Sequence, residues 1–209
     1  MGKFFSVVIT VGIIAILMIF GGAFYIVTES EQVVITQFGK PVGDPITTPG
    51  LKIKKPFLET ANYFDKRFLA WDGEPKQVST RDKRFININT YARWRISDPL
   101  QYAKRLFDES KALTRLGSVL EGATQNAIAN HDLIELVRSS NREYVSNNID
   151  NEQSKKEKAI IKSGRDELTK EILGLAKEST TDLGIEILDF QFKRINYVPE
   201  VRKKVYERM

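Results

Sequence analysis

The side chains able to do chemistry are few in kind and scattered along this chain. There is no cysteine and a single histidine, His131. The first absence removes thiolate metal ligands, cysteine nucleophiles and disulfide staples. The second leaves no histidine pair on which to build a metal site. His131 stands beside Asp132 at the expected start of a helix, where a lone histidine serves as a surface or capping residue far more often than as a base or ligand. Ser79, Ser97, Ser110 and Ser118 lack the GxSxG setting of a nucleophile elbow. No GxxxxGK[ST] or GxGxxG loop is present to cradle a phosphate, and Gly21-Gly22 falls inside an apolar run. Carboxylates are plentiful, but no spacing singles out an acid–base pair, and a Ser/Lys dyad stays formally open. These residues predict a body with no enzyme activity, no metal site and no cofactor.

The chemistry that does stand out is that of a membrane. From Phe4 to Thr28, 25 consecutive residues carry no charge, with Lys3 before them and Glu29 just after. A helix needs about 20 apolar residues to cross a hydrocarbon core of roughly 30 Å. The run therefore predicts a cytoplasmic stub and transmembrane anchor over 1–28, with Phe4, Val11, Ile14, Leu17, Phe20 and Tyr25 among its lipid-facing residues. The competing reading is a cleavable signal with Gly21 and Ala23 at the cut, but the run exceeds the roughly 7–15 apolar residues such a signal uses. Lys3 and the terminal amine lie on one side, with no Lys or Arg on the other until Lys40. Excess positive charge stays cytoplasmic, so the body is expected outside. Soon after the membrane exit come Lys52, Lys54 and Lys55, then Phe57 and Leu58. Two readings stand side by side: lysines at lipid headgroups with the apolar pair slightly deeper, or an ordinary amphipathic strand with a solvated lysine face.

The elements that must position these residues follow from periodicity. Hydrophobic content of 42% beside 28% charged residues permits a packed core. The net charge of +5 is spread among acids, as in Arg81-Asp82-Lys83-Arg84, and so describes a solvated surface and not a nucleic-acid stripe. Short strands with Gly/Pro punctuation are expected at 32–38, 51–55 and 61–71, with Leu51 and Ile53 on one face and Lys52 and Lys54 on the other. The clearest strand is 85–96, with Ile86, Ile88, Ala92, Trp94 and Ile96 on one face, broken only by Thr90. Asn87, Asn89, Arg93 and Arg95 take the other face and offer a candidate surface for subunit contact. Residues 77–80 are expected to pair with this strand through the Arg81–Arg84 turn. Asp98 and Pro99 then open a helical region as N-cap and first residue, and Asp132 opens a further helix. The polar stretch 146–158 reads as an exposed loop. A third amphipathic helix carries Ile161, Leu168, Ile172, Leu175 and Leu183, and Gly184 stops it. A returning strand spans 185–195 with Leu188, Phe190 and Phe192 inward. Pro199 opens a last helix, in which Val198, Val201 and Val205 have coiled-coil spacing and form a second candidate oligomer contact. The fold class is α+β.

The order of segments has a family resemblance. An apolar N-terminus is followed by EQVVITQFGKPVG at 31–43, TTPGLKIKKPFLETANYFDKR at 47–67, STRDKRFININTYARWRISDP at 79–99 and INYVPEVRKKVYERM at 195–209. This resembles the SPFH (band 7) family of stomatins, prohibitins and flotillins. Residues 90–99 and 195–209 resemble its HflC-like branch. The resemblance implies a mainly β subdomain over 29–74, a mixed one over 75–197, and the start of a coiled-coil helix at 198–209. It implies a non-catalytic scaffold in the bacterial inner membrane, single-pass, with a cytoplasmic N-terminus and a periplasmic body. Such a scaffold would assemble with an HflK-like homologue into a large oligomer that encloses and modulates an FtsH-like membrane protease. HflC-like chains continue into a long coiled coil, so a chain ending at Met209 is expected to be truncated before it. The competing readings are a stomatin-like organiser of membrane domains without FtsH and, from a different class, an exported hydrolase.

Overall fold

The computed structural model describes residues 4, 6–13, 21–140, 161 and 163–198. Contacts divide the chain into two units, neither of them continuous in sequence. Unit 1 comprises Met1–Phe68, Arg95–Ala112 and Asp182–Glu186, and unit 2 comprises Leu69–Trp94, Leu113–Thr181 and Ile187–Met209. This division by contacts passes between Trp94 and Arg95 and between Glu186 and Ile187, and is separate from the consecutive subdomains that the family resemblance implies, with boundaries at 28, 74 and 197.

In unit 1, residues 6–13 are helical, and the chain is extended again by Phe24. Strand β1 (Phe24–Val27) pairs antiparallel with β4 (Gly50–Ile53). A second sheet has the order β3-β2-β5, with β2 at Glu31–Gln37, β3 at Lys40–Pro41 and β5 at Glu59–Asp65. Tyr25, Val27, Val33 and Ile35 form a buried cluster, packed against Ile46 and Ala61. Burying side chains of this kind stabilises the fold by roughly 1.5–3 kcal/mol each. The strand expected over 61–71 stops at Asp65. Its carboxylate accepts from the Arg67 backbone N–H at 2.8 Å and from the Arg67 guanidinium at 2.8 and 3.1 Å, so the side chain turns the backbone out of the ladder. The same guanidinium hydrogen bonds hold the Asp65 carboxyl below its ordinary range.

Helix α1 (Pro99–Arg105) begins as its sequence demands. The Asp98 carboxylate accepts from the N–H groups of Leu100 and Gln101 at 2.9 and 3.0 Å, with Pro99 in the first turn. Tyr102 packs edge-on to Phe64 with ring centroids 5.3 Å apart, and burial pushes its phenol up to about 12. Gln32, itself buried, donates to the carbonyls of Asp65 and Ile96 at 3.3 and 3.2 Å. Gly184 has φ +71, and its carbonyl accepts from Ser97 and Asp98. A Cβ there would sit 2.3 Å from the Asp98 carbonyl oxygen, so only glycine fits.

Unit 2 is built around β8. The strand spans Phe85–Ile96, as the alternation predicts, and positions 86 to 94 that face inward are all buried, Thr90 included. Strand β7 (Lys76–Ser79) pairs with residues 85–88 and β6 (Leu69–Asp72) with residues 91–94, while β9 (Ile185–Tyr197) also pairs with β8. The alternation in β9 slips by one residue: Ile187, Phe190 and Phe192 are buried, and Leu188 is only half-buried. Helix α2 (Glu109–Asn130) starts in unit 1 and runs on through unit 2. Its unit 2 part buries Leu116, Leu120, Ala123, Ala127 and Ile128. Helix α3 spans Leu133–Val137, and Asp132 precedes it without capping it. The Asp132 carboxylate is taken by the Arg81 guanidinium, at 2.6 and 2.9 Å. Helix α4 (Arg165–Thr180) buries Leu168, Ile172, Ala176 and Thr180, while Leu175 is exposed. The expected loop at 146–158 and the last helix beyond Val198 lie outside the described residues.

Candidate membrane interface

Strand β1 is apolar on both faces. Tyr25 and Val27 point into the unit 1 core. On the opposite face the register sets Phe24 against Ile53 and Ile26 against Leu51. Residues directly opposite in an antiparallel pair share a face, and all four are exposed, Ile26, Leu51 and Ile53 by 63%, 65% and 68%. The alternation expected in β4 is present, with Leu51 and Ile53 on one face and Lys52 and Lys54 on the other, and it is the lysine face that is half-buried. Lys52 lies opposite Tyr25 and donates to the Thr48 hydroxyl at 3.0 Å, and Lys54 donates to the Glu59 carbonyl at 2.8 Å. Exposed Lys55 faces the Glu59 carboxylate at 3.5 Å.

Backbone hydrogen bonds bring the chain entry and the β4–β5 turn to one end of this unit. The Lys54 N–H donates to the Ala23 carbonyl at 2.8 Å, next to the residues that join the N-terminal apolar run to β1. Just beyond, Phe57 is 79% exposed with φ +64, and Leu58 is exposed beside it. An exposed apolar face, followed in the chain by exposed Lys55, Phe57 and Leu58 near the point where an apolar segment enters, has the composition of an interfacial surface.

The remaining candidate residues divide as follows. Phe4 and Val11 are exposed on the N-terminal helix, and Ile14, Leu17 and Phe20 lie outside the described residues. Tyr25, assigned to the anchor by its place in the run, is instead a buried core residue of β1. A tyrosine that alternates with exposed Phe24 and Ile26 on a strand cannot also continue a helix, so the helical part of the run ends before Gly22, where φ is +66. Among the described residues no helix is long and apolar enough to cross a membrane. Arg93 pairs with Asp189 at 3.1 Å in unit 2, and Arg95 pairs with Glu186 at 2.7 Å in unit 1. Each arginine is therefore engaged within its own unit. Val198 is buried, and Val201 and Val205 lie outside the described residues.

No group of three or more His, Asp or Glu side chains is placed to hold a metal among the described residues. His131 lies with one ring nitrogen 2.8 Å from Glu135 and the other 3.3 Å from Glu171. It ties the end of α2 to α3 and α4, with its two nitrogens aimed at different carboxylates. The exposed face of β1–β4 was not singled out in the sequence, because in β1 both faces are apolar and in β4 the apolar face is the exposed one. The one available signal was that Phe24 and Ile26 continue the apolar run through a strand.

This α+β body, with its strand-rich first unit and exposed apolar face, has a match among known families. Residues 25–209 match the SPFH domain / Band 7 family, and the chain belongs to it. More particularly, it is similar to Protein HflC of Borreliella burgdorferi, at 35% identity over 98% of this chain and 64% of that protein. It is likewise similar to Protein HflC of Treponema pallidum, at 30% identity over 89% of this chain and 60% of that protein. The Escherichia coli K12 protein named "Modulator of FtsH protease HflC" is 27% identical over 94% of this chain and 66% of its own length. The chain thus spans about three-fifths of the length of the curated relatives it matches.

Proposed function

We propose that this chain is a non-catalytic, membrane-anchored scaffold that works with an HflK-like homologue to modulate an FtsH-like membrane protease. The observation that carries the reading is its similarity, over 94% of its length, to a protein named as a modulator of FtsH. Function in such a protein comes from where copies stand and what they exclude, so it needs a defined seat on the bilayer and contacts between subunits. The anchor is the apolar run from Phe4 to Gly22, 19 residues without a charge, which as a helix rises about 28 Å. Its N-terminus is cytoplasmic and its body periplasmic by the charge asymmetry at Lys3. Seating comes from the β1–β4 face with Phe57 and Leu58 at the interface and Lys52, Lys54 and Lys55 at headgroup level. Subunit contacts use Arg93 and Arg95 and, beyond Val198, the segment whose sequence gives Val201 and Val205 coiled-coil spacing.

The test is purification from native membranes with crosslinking mass spectrometry. The expected result is co-isolation of an HflK-like and an FtsH-like protein, with crosslinks to Lys residues of this body. Carbonate-resistant membrane retention without either partner would refute the protease role and leave the anchor standing. Release by carbonate would refute the anchor.

A further inference from the structure

Phe38 is a misfit in its own turn. Strand β2 ends at Gln37, which pairs with Lys40 of β3, so Phe38-Gly39 is a two-residue hairpin loop. Both residues are left-handed, with φ +51 and +78. That turn favours Asn-Gly, and a bulky residue there carries backbone strain. The phenylalanine recovers nothing from the fold, because it is 83% exposed, more than any other large apolar side chain among the described residues. Phe57 repeats the pattern, left-handed and exposed, in the β4–β5 turn. The register joins the two turns. Gln37 lies opposite Glu59, whose N–H donates to the Lys55 carbonyl at 3.1 Å, and Lys54 in turn donates to the Ala23 carbonyl. Phe38 therefore stands at the end of unit 1 where the N-terminal apolar segment enters. Lys40, next to it, is exposed and makes no ion pair among the described residues.

We propose that the Phe38–Lys40 turn is a second insertion point into the bilayer, with the Phe38 ring below the headgroups and Lys40 on an acidic phospholipid. The inference rests on the membrane seating proposed above and extends it to a residue outside the β1–β4 ribbon. Two wedges on separate hairpins, together with the anchor, fix the tilt of unit 1 about the anchor axis, which one wedge alone leaves free. Burying a ring of this size outweighs the strain of one left-handed residue, and a lysine near an anionic surface adds attraction that salt weakens.

Because the chain has no cysteine, single-cysteine variants of the full chain give clean probe sites. Phe38→Cys, Phe57→Cys and, on the exposed side of α2, Asn126→Cys would each carry an environment-sensitive fluorophore. Each would be reconstituted in vesicles of phosphatidylcholine with phosphatidylglycerol and quenched by shallow spin-labelled lipid. The expected result is quenching at 38 and 57 and none at 126. Quenching at 57 without 38 overturns this inference and leaves the β4–β5 interface intact, whereas quenching at neither site, or equally at all three, overturns both. Replacing phosphatidylglycerol by phosphatidylcholine, or Lys40 by Glu, is expected to reduce quenching at 38 severalfold; no change overturns the acidic-lipid preference. Phe38→Asn restores the favoured Asn-Gly turn and is expected to raise the unfolding midpoint in detergent. A lower midpoint would mean that Phe38 serves the fold, and would sink the proposal.

Discussion

The β1–β4 ribbon of unit 1 and the β8-centred sheet of unit 2 each turn one face to a core, but their outer faces differ in kind. Outside β8 the face carries matched charges: Arg93 meets Asp189, and Lys193 of β9 meets Asp72 of β6 at 2.6 Å. Such exposed pairs are compatible with water. Outside β1–β4 stand Phe24, Ile26, Leu51 and Ile53 with no cover. Exposed apolar area of that continuity implies a partner that the unit itself does not supply. The contrast shows that a strand's outer face, and not its inner one, carries the information about what the protein touches.

The largest effect that would sharpen this contrast is on the inner side. Trp94 is fully buried on β8, so Trp94→Ala is expected to cost about 3–5 kcal/mol in urea denaturation of the detergent-solubilised chain. Ile53→Ser, on the outer side, is expected to change stability by no more than about 0.5 kcal/mol while weakening seating on vesicles. Equal losses in the two variants would mean that Ile53 is covered by protein, and the contrast would fail.

An intermediate effect comes from the core beside α1. Burial raises the Tyr102 phenol to about 12, whereas an unfolded tyrosine ionises near pH 10. The unfolded state therefore loses its proton first, and the stability present below pH 10 declines as pH rises toward 12. Tyr102→Phe is expected to flatten that alkaline decline in a pH series of melting midpoints. An unchanged slope would show that the phenol is not sequestered.

The smallest effect is on the charged outer face. The Arg93–Asp189 and Lys193–Asp72 pairs are half-exposed, so Asp189→Asn is expected to cost no more than about 1 kcal/mol, and less in high salt. A larger, salt-independent loss would indicate a face buried by another subunit, consistent with the contact proposed there.

The long β8 strand was legible because twelve residues kept one period and one inner face. The Asp98–Pro99 helix start was legible because capping is local chemistry between neighbours. Asp132 likewise stands where its helix begins, but its carboxylate is taken by Arg81, 51 residues away, and no local pattern announces that. The slip in β9 between Ile187 and Phe190 was invisible for the same reason, since apolar residues occupy both phases at Ile187 and Leu188.

The sequence by itself determined that an uncharged run precedes an α+β body and that the family's segments stand in their usual order. Composition and short-range periodicity suffice for those, because each depends on neighbours along the chain. Only the tertiary structure decided that a strand begins at Phe24, that Tyr25 is core, and that Leu51 and Ile53 face outward. Those outcomes depend on which distant segment supplies the hydrogen bonds and the inner face, and for a strand apolar on both faces, such as β1, the residues along it do not make that choice.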